Sequence, residues 1–361
     1  GVVIEAAGED ADIKGFIEEL KSGAPPLARI ETFDVESIER AAGNMGFTGF
    51  TIRESVPVHL KGEFALVSPD ISICDDCLRE LFDPSDRRYL YPFINCTNCG
   101  PRYSIIKDIP YDRPKTTMAV FQMCGECEKE YRNPANRRFH AEANACGKCG
   151  PKVWLAGKDG GRIEAMINYD ALRDVQWLLK EGAVLAIKGL GGFHLACDAG
   201  NDEAVKKLRD RKRSSFRNPV GGSSNKPFAI MALDVESIKR FAAVNNAEKT
   251  LLEDRTRPIT LLKKMRIDIL SRHVSPNNSD YGVMLPYTPL HYLLFHPRAD
   301  ATTLVMTSGN LSDEPIIHSN EEAVARLPGI ADYFVLHDRE IYMRVDDSIA
   351  RVCGARTTIL R

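Results

Sequence analysis

Eight cysteines stand in two copies of one spacing, Cys74-x2-Cys77-x18-Cys96-x2-Cys99 and Cys124-x2-Cys127-x18-Cys146-x2-Cys149, offset by fifty residues. A Cys-x2-Cys knuckle offers two thiolates to one metal. A second knuckle 15–20 residues later completes a tetrahedral four-sulfur shell of the kind that suits structural zinc. All four positions are then filled, so such a metal holds structure and leaves no open site for chemistry. The repeat extends beyond the cysteines: Glu80, Pro84, Arg87-Arg88-Tyr89 and Cys99-Gly100-Pro101 return as Glu130, Pro134, Arg137-Arg138-Phe139 and Cys149-Gly150-Pro151. One small module has been duplicated. Disulfides are the competing use of eight thiols, but nothing here resembles a signal peptide and the remainder reads as a cytosolic domain, where thiols stay reduced. Two structural Zn2+ are therefore expected. Ligation within each repeat is the simpler pairing, since a duplicated unit must have worked alone, and cross-braced pairing remains the alternative.

Quieter residues carry the other candidate chemistry. Across residues 202–213 a predicted helix holds Lys206, Lys207, Arg209, Arg211, Lys212 and Arg213 against three acids, and Lys226-Pro227-Phe228 follows. A charge run is usually a solvated face. In a chain of net charge -2, this local excess instead suits a polyanion such as a triphosphate. Thr307-Ser308-Gly309-Asn310 follows a predicted strand, where hydroxyls, amides and free N–H groups meet ligands in α/β sheets. It is equally a good turn. Lys188-Gly189-Leu190-Gly191-Gly192-Phe193-His194 lets backbone approach a ligand, yet it is neither a Walker loop nor a Rossmann fingerprint. Any ATP would bind without a P-loop, and His194 receives no proton-transfer role. Arg344-Val345-Asp346-Asp347-Ser348 offers a cation, a hydroxyl and two carboxylates that invite Mg2+ beside phosphate. On a strand only one of Asp346 and Asp347 would face the ligand.

The elements that must position these residues fall into three stretches. With 361 residues, 43% of them hydrophobic and 27% charged, the chain is long and apolar enough for two or three cores. Residues 1–58 read as a small α+β piece, with a β-rich start, a helix over 10–20 and short strands at 29–35 and 49–53. Residues 59–158 hold the cysteine modules and are expected to bury little apolar surface, so that metal supplies about ten or more kcal/mol per zinc toward folding. Residues 159–361 alternate helices and strands, with helices over 169–180 and 202–213 and strands near 183–187, 228–233, 259–262, 303–306 and 333–336. Cys197 and Cys353 lie in strand-like apolar segments and are expected as packed core thiols. The near-neutral charge argues against a general nucleic-acid binder, and no run of about 20 apolar residues would span a membrane. A cytoplasmic location is expected.

In their order, several motifs resemble the HypF family of hydrogenase-maturation carbamoyltransferases over essentially the whole chain. They are the twin modules with Asn95-Cys96-x2-Cys99-Gly100-Pro101 and Arg137-Arg138-Phe139-His140, Lys188-Gly-x-Gly-Gly-Phe-His-Leu-Ala-Cys-Asp198, Leu285-Pro-Tyr-Thr-Pro-Leu290, Met306-Thr-Ser-Gly-Asn310 and Arg344-x-Asp-Asp-Ser348. The resemblance implies a multidomain α+β and α/β fold: the C-terminal part of an acylphosphatase-like domain (1–58), tandem four-cysteine zinc modules (59–158) and a YrdC-like nucleotide-binding domain with a twisted open sheet (159–361). It implies that carbamate, derived from carbamoyl phosphate, is joined to ATP as carbamoyl-adenylate with loss of pyrophosphate. The carbamoyl group would pass to the C-terminal cysteine of a HypE-type acceptor and become a cyanide ligand of [NiFe] hydrogenase. By resemblance Lys188, Arg209, Lys212 and Arg344 are the expected catalytic residues. Lys226, Thr307, Ser308, Asn310, Asp346 and Asp347 are expected to bind ATP and its Mg2+. The family's catalytic phosphatase loop and its C-terminal transfer domain are expected to be absent from this chain. The Gly- and Ser-rich residues 214–225 depart from the family's shorter basic link. Two other readings compete: threonylcarbamoyl-adenylate synthesis for tRNA modification, and a zinc-based nucleic-acid or protein adaptor using Arg87, Arg88, Arg102, Arg137 and Arg138. Those arginines can equally brace the modules, which the near-neutral charge favours.

Overall fold

The computed structural model describes residues 4–28, 30–37, 67–163, 166–214, 226–297, 302–311, 314–354 and 356–361. The chain divides into two compact units, Gly1–Gly62 and Glu63–Arg361. In the first, α1 (Asp10–Ser22) forms where Ile13, Phe16, Ile17 and Leu20 recur at helical spacing, and Gly23 ends it by donating its N–H to Glu19. The strand expected at 29–35 is not formed: residues 30–35 have no ladder partner among the described residues, and β-propensity without a neighbouring strand fixes nothing. Residues 4–6 likewise form no strand, while the strand expected at 49–53 lies outside the described residues.

The second unit opens with α2 (Asp75–Phe82) and α3 (Gly125–Arg132), one in each cysteine module. Then follow β1 (Val153–Ala156), α4 (Tyr169–Lys180), β2 (Leu185–Lys188), β3 (Phe193–Asp198), α5 (Asp202–Ser214), β4 (Ala229–Ala232), α6 (Val235–Ile238), α7 (Asn246–Leu252) and β5 (Ile259–Lys263). The chain continues through β6 (Asp280–Met284), α8 (Pro289–Leu293), β7 (Thr303–Ser308), α9 (Asn320–Arg326), β8 (Tyr333–His337), β9 (Ile349–Cys353) and β10 (Arg356–Ile359). All ten strands join one mixed sheet in the order β1-β8-β2-β3-β7-β4-β6-β5-β9-β10. Its first strand falls inside the span 59–158.

Alternation along the strands sends side chains into two cores. Val153, Leu155, Leu185, Ile187 and Met231 face one side, with α4 residues Leu172, Val175 and Leu179 and α8 residues Leu290 and Leu293. Ala186, Ile230 and Ala232 face the other, with Val205 and Leu208 of α5, Ile238 of α6 and Ala323 of α9. The central strands are therefore largely apolar, and all four residues of β2, the terminal Lys188 included, are buried.

The cysteine modules belong to the first of these layers. Leu81, Tyr91, Phe93, Ile94, Ile105 and Met118 are each at most 4% exposed and continue the core beneath α4 and α8. The expectation that this stretch buries little apolar surface is corrected: each such side chain contributes roughly 1.5–3 kcal/mol on burial, beside whatever the metals supply. Cys197 is a buried core thiol as expected, whereas Cys353 is exposed. It ends β9, whose outer neighbour β10 is exposed at every residue.

Candidate nucleotide cleft and metal centres

Each helix of the cysteine modules starts one residue after a cysteine, Cys74 capping α2 and Cys124 capping α3, so the positive helix ends face the thiolates. The sulfurs of Cys74, Cys77, Cys96 and Cys99 lie within 4.8 Å of one another, as do those of Cys124, Cys127, Cys146 and Cys149. Ligation is thus within each repeat, not cross-braced. The S···S separations run 3.6 Å (Cys74–Cys96), 3.9 Å (Cys96–Cys99) and 3.5 Å (Cys99–Cys77) in the first repeat, and 3.8, 3.8 and 3.6 Å at the matching pairs of the second. A regular tetrahedron with Zn–S bonds of about 2.3 Å has edges of about 3.8 Å. Both cages fit Zn2+. Arg87, Arg88, Arg137 and Arg138 are turned toward the opposite repeat and paired with Glu130 or Glu80, so four of the five arginines of the adaptor reading brace the modules against each other.

The second candidate site forms where the ends of β7, α5 and the 344–348 segment meet. His194 of β3 stands opposite Ser308 of β7 in the ladder. Gly309 follows so closely that its N–H donates to Phe193 O at 2.6 Å. Ser308 Oγ donates to Asn310 Oδ1 at 3.0 Å, and Asn310 Nδ2 donates to Glu314 O at 2.6 Å, which fixes both polar groups on the turn. From the last turn of α5, Lys212 Nζ donates to Ser308 O at 2.7 Å. Burial, then the charge of Lys226, pushes the Lys212 ammonium down to about 8, with Asp346 acting the opposite way. Lys212, Lys226, Ser308 and Asp346 are accordingly neighbours. Thr307 sits half-buried one residue earlier, opposite Leu195.

The remaining candidates are spread around this cluster. Arg209 lies on α5 with its guanidinium stacked on Phe228, 4.2 Å from the ring centre. Its nitrogens donate to the carbonyls of His273 at 2.9 and 2.6 Å, Val274 at 3.2 Å and Lys226 at 3.1 Å. Lys188 is buried, its Nζ donating to His337 O at 3.1 Å, and burial followed by the charge of Arg339 holds it at about 8. Arg344 is exposed and has no ion pair among the described residues. Residues 215–225, which include Arg217, lie outside the described residues.

Residues 344–348 are not a strand, so the alternation expected to separate the two aspartates does not operate there. They part for another reason. Asp347 Oδ2 meets His194 Nε2 at 3.0 Å, while Asp346 stays exposed and pairs with Arg361 at 3.1 Å. Burial works to raise the Asp347 carboxyl, but the His194 hydrogen bond and the charges on His194 and His291 hold it below the usual carboxylate value. Tyr287 bonds to the same carboxylate, and its phenol is raised by burial first and by Asp347 second. His291 closes the cluster, its ring centre 6.1 Å from that of His194; burial, then the charge of His194, lowers it to about 3.

A cavity of about 290 Å³ opens here, lined by Gly191, Arg257, Tyr287, Asp346 and Asp347 from the sheet domain and by Asp70 and Tyr103 flanking the first module. Asp70 accepts from Arg102 N at 2.6 Å and from Ser104 N and Oγ at 3.2 and 3.0 Å, and so ties the turn that presents Tyr103. Sequence reasoning missed Asp70, Arg257 and the role of Tyr287. Tyr287 at least lay within the Leu285-Pro-Tyr-Thr-Pro-Leu290 motif, whereas a lone aspartate ahead of the first module gives no local signal.

Three families match parts of the chain: Acylphosphatase at residues 1–61, HypF finger at 73–106 and 123–156, and the Sua5/YciO/YrdC family described as Telomere recombination at 177–361. The chain is 46% identical to carbamoyltransferase HypF2 of Cupriavidus necator over 98% of its length and 48% identical to carbamoyltransferase HypF of Synechocystis over all of it. It is 47% identical to a probable carbamoyltransferase HypF of Methanocaldococcus jannaschii, again over its full length. It spans 44% of the length of each of these relatives. A crystal structure of full-length HypF in a phosphate- and nucleotide-bound form superposes with a TM-score of 0.86 at 46% identity, over 98% of this chain and 44% of that one. That of T. kodakarensis HypF gives 0.83 at 45% identity, over 98% of this chain and 43% of that one.

Proposed function

This chain belongs to the HypF family, and from that premise we propose that its sheet domain activates carbamate as carbamoyl-adenylate. A carbamate oxygen attacks the α-phosphorus of ATP; a P–O bond forms, the α–β phosphoanhydride bond breaks and pyrophosphate leaves. No side-chain nucleophile is required. The protein's task is orientation and charge neutralisation at the reacting phosphorus.

The observation that carries this reading is the Lys212–Ser308 contact, which joins a basic helix end to a hydroxyl-rich strand end within the electrostatic reach of Asp346, itself a lining residue of the cavity. Lys212 and Lys226 take the triphosphate, and Thr307, Ser308 and Asn310 contact the nucleotide. Arg209 acts by holding the Lys226 carbonyl, and Lys188 by supporting the loop that carries Gly189 and Gly191. Arg344 reaches carbamate or the α-phosphate. Asp346 is the carboxylate open to solvent and would hold Mg2+ together with phosphate oxygens, since Asp347 is engaged by His194. Bound Mg2+ would supply charge neutralisation of the phosphates. The two Zn2+ are structural, and eight reduced thiols suit the cytoplasm.

Carbamate would come from carbamoyl phosphate, and the carbamoyl group would go to the C-terminal cysteine of a HypE-type acceptor. The nucleotide-bound HypF relative supports the nucleotide assignment. The test is AMP formation from ATP and Mg2+ with ammonium bicarbonate as the carbamate source. Formation independent of threonine supports the proposal; a requirement for threonine moves the assignment to threonylcarbamoyl-adenylate.

A further inference from the structure

Arg87 and Arg137 occupy equivalent positions in the two repeats, and each directs its guanidinium to the other repeat's cage. Arg87 Nη2 donates to Cys127 Sγ at 3.2 Å and to Glu130 Oε2 at 2.6 Å. Arg137 donates to Cys77 Sγ at 3.2 Å from both Nη1 and Nη2, and pairs with Glu80 Oε2 at 2.6 Å. The neighbouring arginines repeat the exchange: Arg88 Nε donates to Ala145 O at 2.9 Å and Arg138 Nε to Asn95 O at 3.1 Å, residues again fifty apart. Arg88 and Arg138 are only 1% and 4% exposed. This is the self-complementary pattern of a two-fold interface, built within one chain.

The geometry also gives the exchange a direction. Arg87 and Arg88 lie on the segment between Cys77 and Cys96, whose two ends are fixed when the first cage closes. Closing that cage places a cation against a thiolate and a carboxylate of the second. The same holds in reverse for Arg137 and Arg138. Outer-sphere donors of this kind orient ligands and disperse thiolate charge, and their loss typically costs about 10–100-fold in metal affinity.

We propose that Arg87 and Arg137 are positioning residues for the opposite zinc site, so that loading one repeat raises the affinity of the other. The coupling is reciprocal by thermodynamic necessity. A merely cementing role would affect both sites alike.

The test uses the whole 361-residue chain with 113Cd2+ in place of zinc, the two tetrathiolate resonances being assigned through their couplings to cysteine β-protons. Arg87→Gln should shift the resonance of the Cys124, Cys127, Cys146 and Cys149 site and leave the other in place, and Arg137→Gln should do the converse. Metal transfer to a competing chelator should accelerate about 10-fold at the shifted site. Arg87→Lys should recover part of the loss, because one ammonium cannot serve sulfur and carboxylate as the planar fork does. Native mass spectrometry of the unaltered chain during zinc titration gives a check that needs no variant. Coupled sites pass from zero to two metals with little one-metal species, whereas independent equal sites hold about half the chains at one metal midway. A shift at the variant's own site, at both sites or at neither, or a one-metal population near half, overturns the proposal.

Discussion

Lys212 Nζ donates to the carbonyl oxygen of Ser308 at 2.7 Å, across a sequence separation of 96 residues. Helix α5 and strand β7 end at the same place because both pack through Leu208 and Val205 on one side and Val305 on the other into a single core. The contact therefore follows from the packing of the sheet, and it leaves an ammonium partly withdrawn from water beside Lys226 and Asp346.

The first prediction concerns pH. Burial and Lys226 hold Lys212 at about 8, below its unfolded value, so its cost to stability is fully present below pH 8 and is relieved as pH rises toward about 10.4. Phosphate binding runs the other way, because it needs the protonated form. ATP affinity measured by calorimetry should fall about tenfold between pH 7 and pH 9. Lys212→Met should bind more weakly at pH 7 and show little of this decline.

Asp346 and Asp347 should separate cleanly under mutation. Asp347→Asn removes the charged partner of His194 and should cost about 1.5–3 kcal/mol, read as a lower urea midpoint at unchanged slope. Its carboxyl is held below the usual value, so this stability is present above about pH 4 and is lost as pH falls through the folded-state value. Asp346→Asn should leave stability within about 0.5 kcal/mol and weaken the Mg2+ dependence of nucleotide binding.

Gly309 tests the turn itself. A Cβ there would stand 2.7 Å from both Cβ and O of Phe193, closer than real side chains approach. Gly309→Ala should force Ser308 and Asn310 away from β3, lower stability by about 1–3 kcal/mol and weaken ATP binding. Unchanged ATP affinity in a folded variant would count against the turn as part of the site.

Metal removal should reach beyond the modules. Tyr91, Phe93 and Ile105 share a core with Leu185 and Ile187 of the sheet. Chelation should release two zinc ions per chain and lower the calorimetric melting temperature of the sheet domain. A sheet transition unmoved by chelation would contradict the shared core.

Local chemistry was legible where spacing alone carries it. The eight cysteines declare their cages, and the cluster of Lys212, Lys226, Ser308 and Asp346 draws on three motifs that were each visible. Contacts between distant segments were not legible. Nothing beside Asp347 distinguishes it from Asp346; the difference lies in His194, 153 residues earlier. Arg209 shares a helical stripe with Lys206 and Arg213, yet its guanidinium is held by the carbonyls of His273 and Val274. Cys353 sits in an apolar run that resembles a core strand, yet it is exposed at the end of β9, beside a β10 that is exposed at every residue. Alternation reports which residues share a face; whether another layer lies on that face is decided elsewhere in the chain.

The most direct test of the central claim is carbamate-dependent exchange of labelled pyrophosphate into ATP, compared between the unaltered chain and Lys212→Ala. The account predicts exchange with ammonium bicarbonate and Mg2+, none without a carbamate source, no requirement for threonine, and at least a hundredfold loss in Lys212→Ala, roughly the 3 kcal/mol expected for a transition-state charge contact. Exchange undiminished in Lys212→Ala, or a chain that binds no ATP, would contradict it.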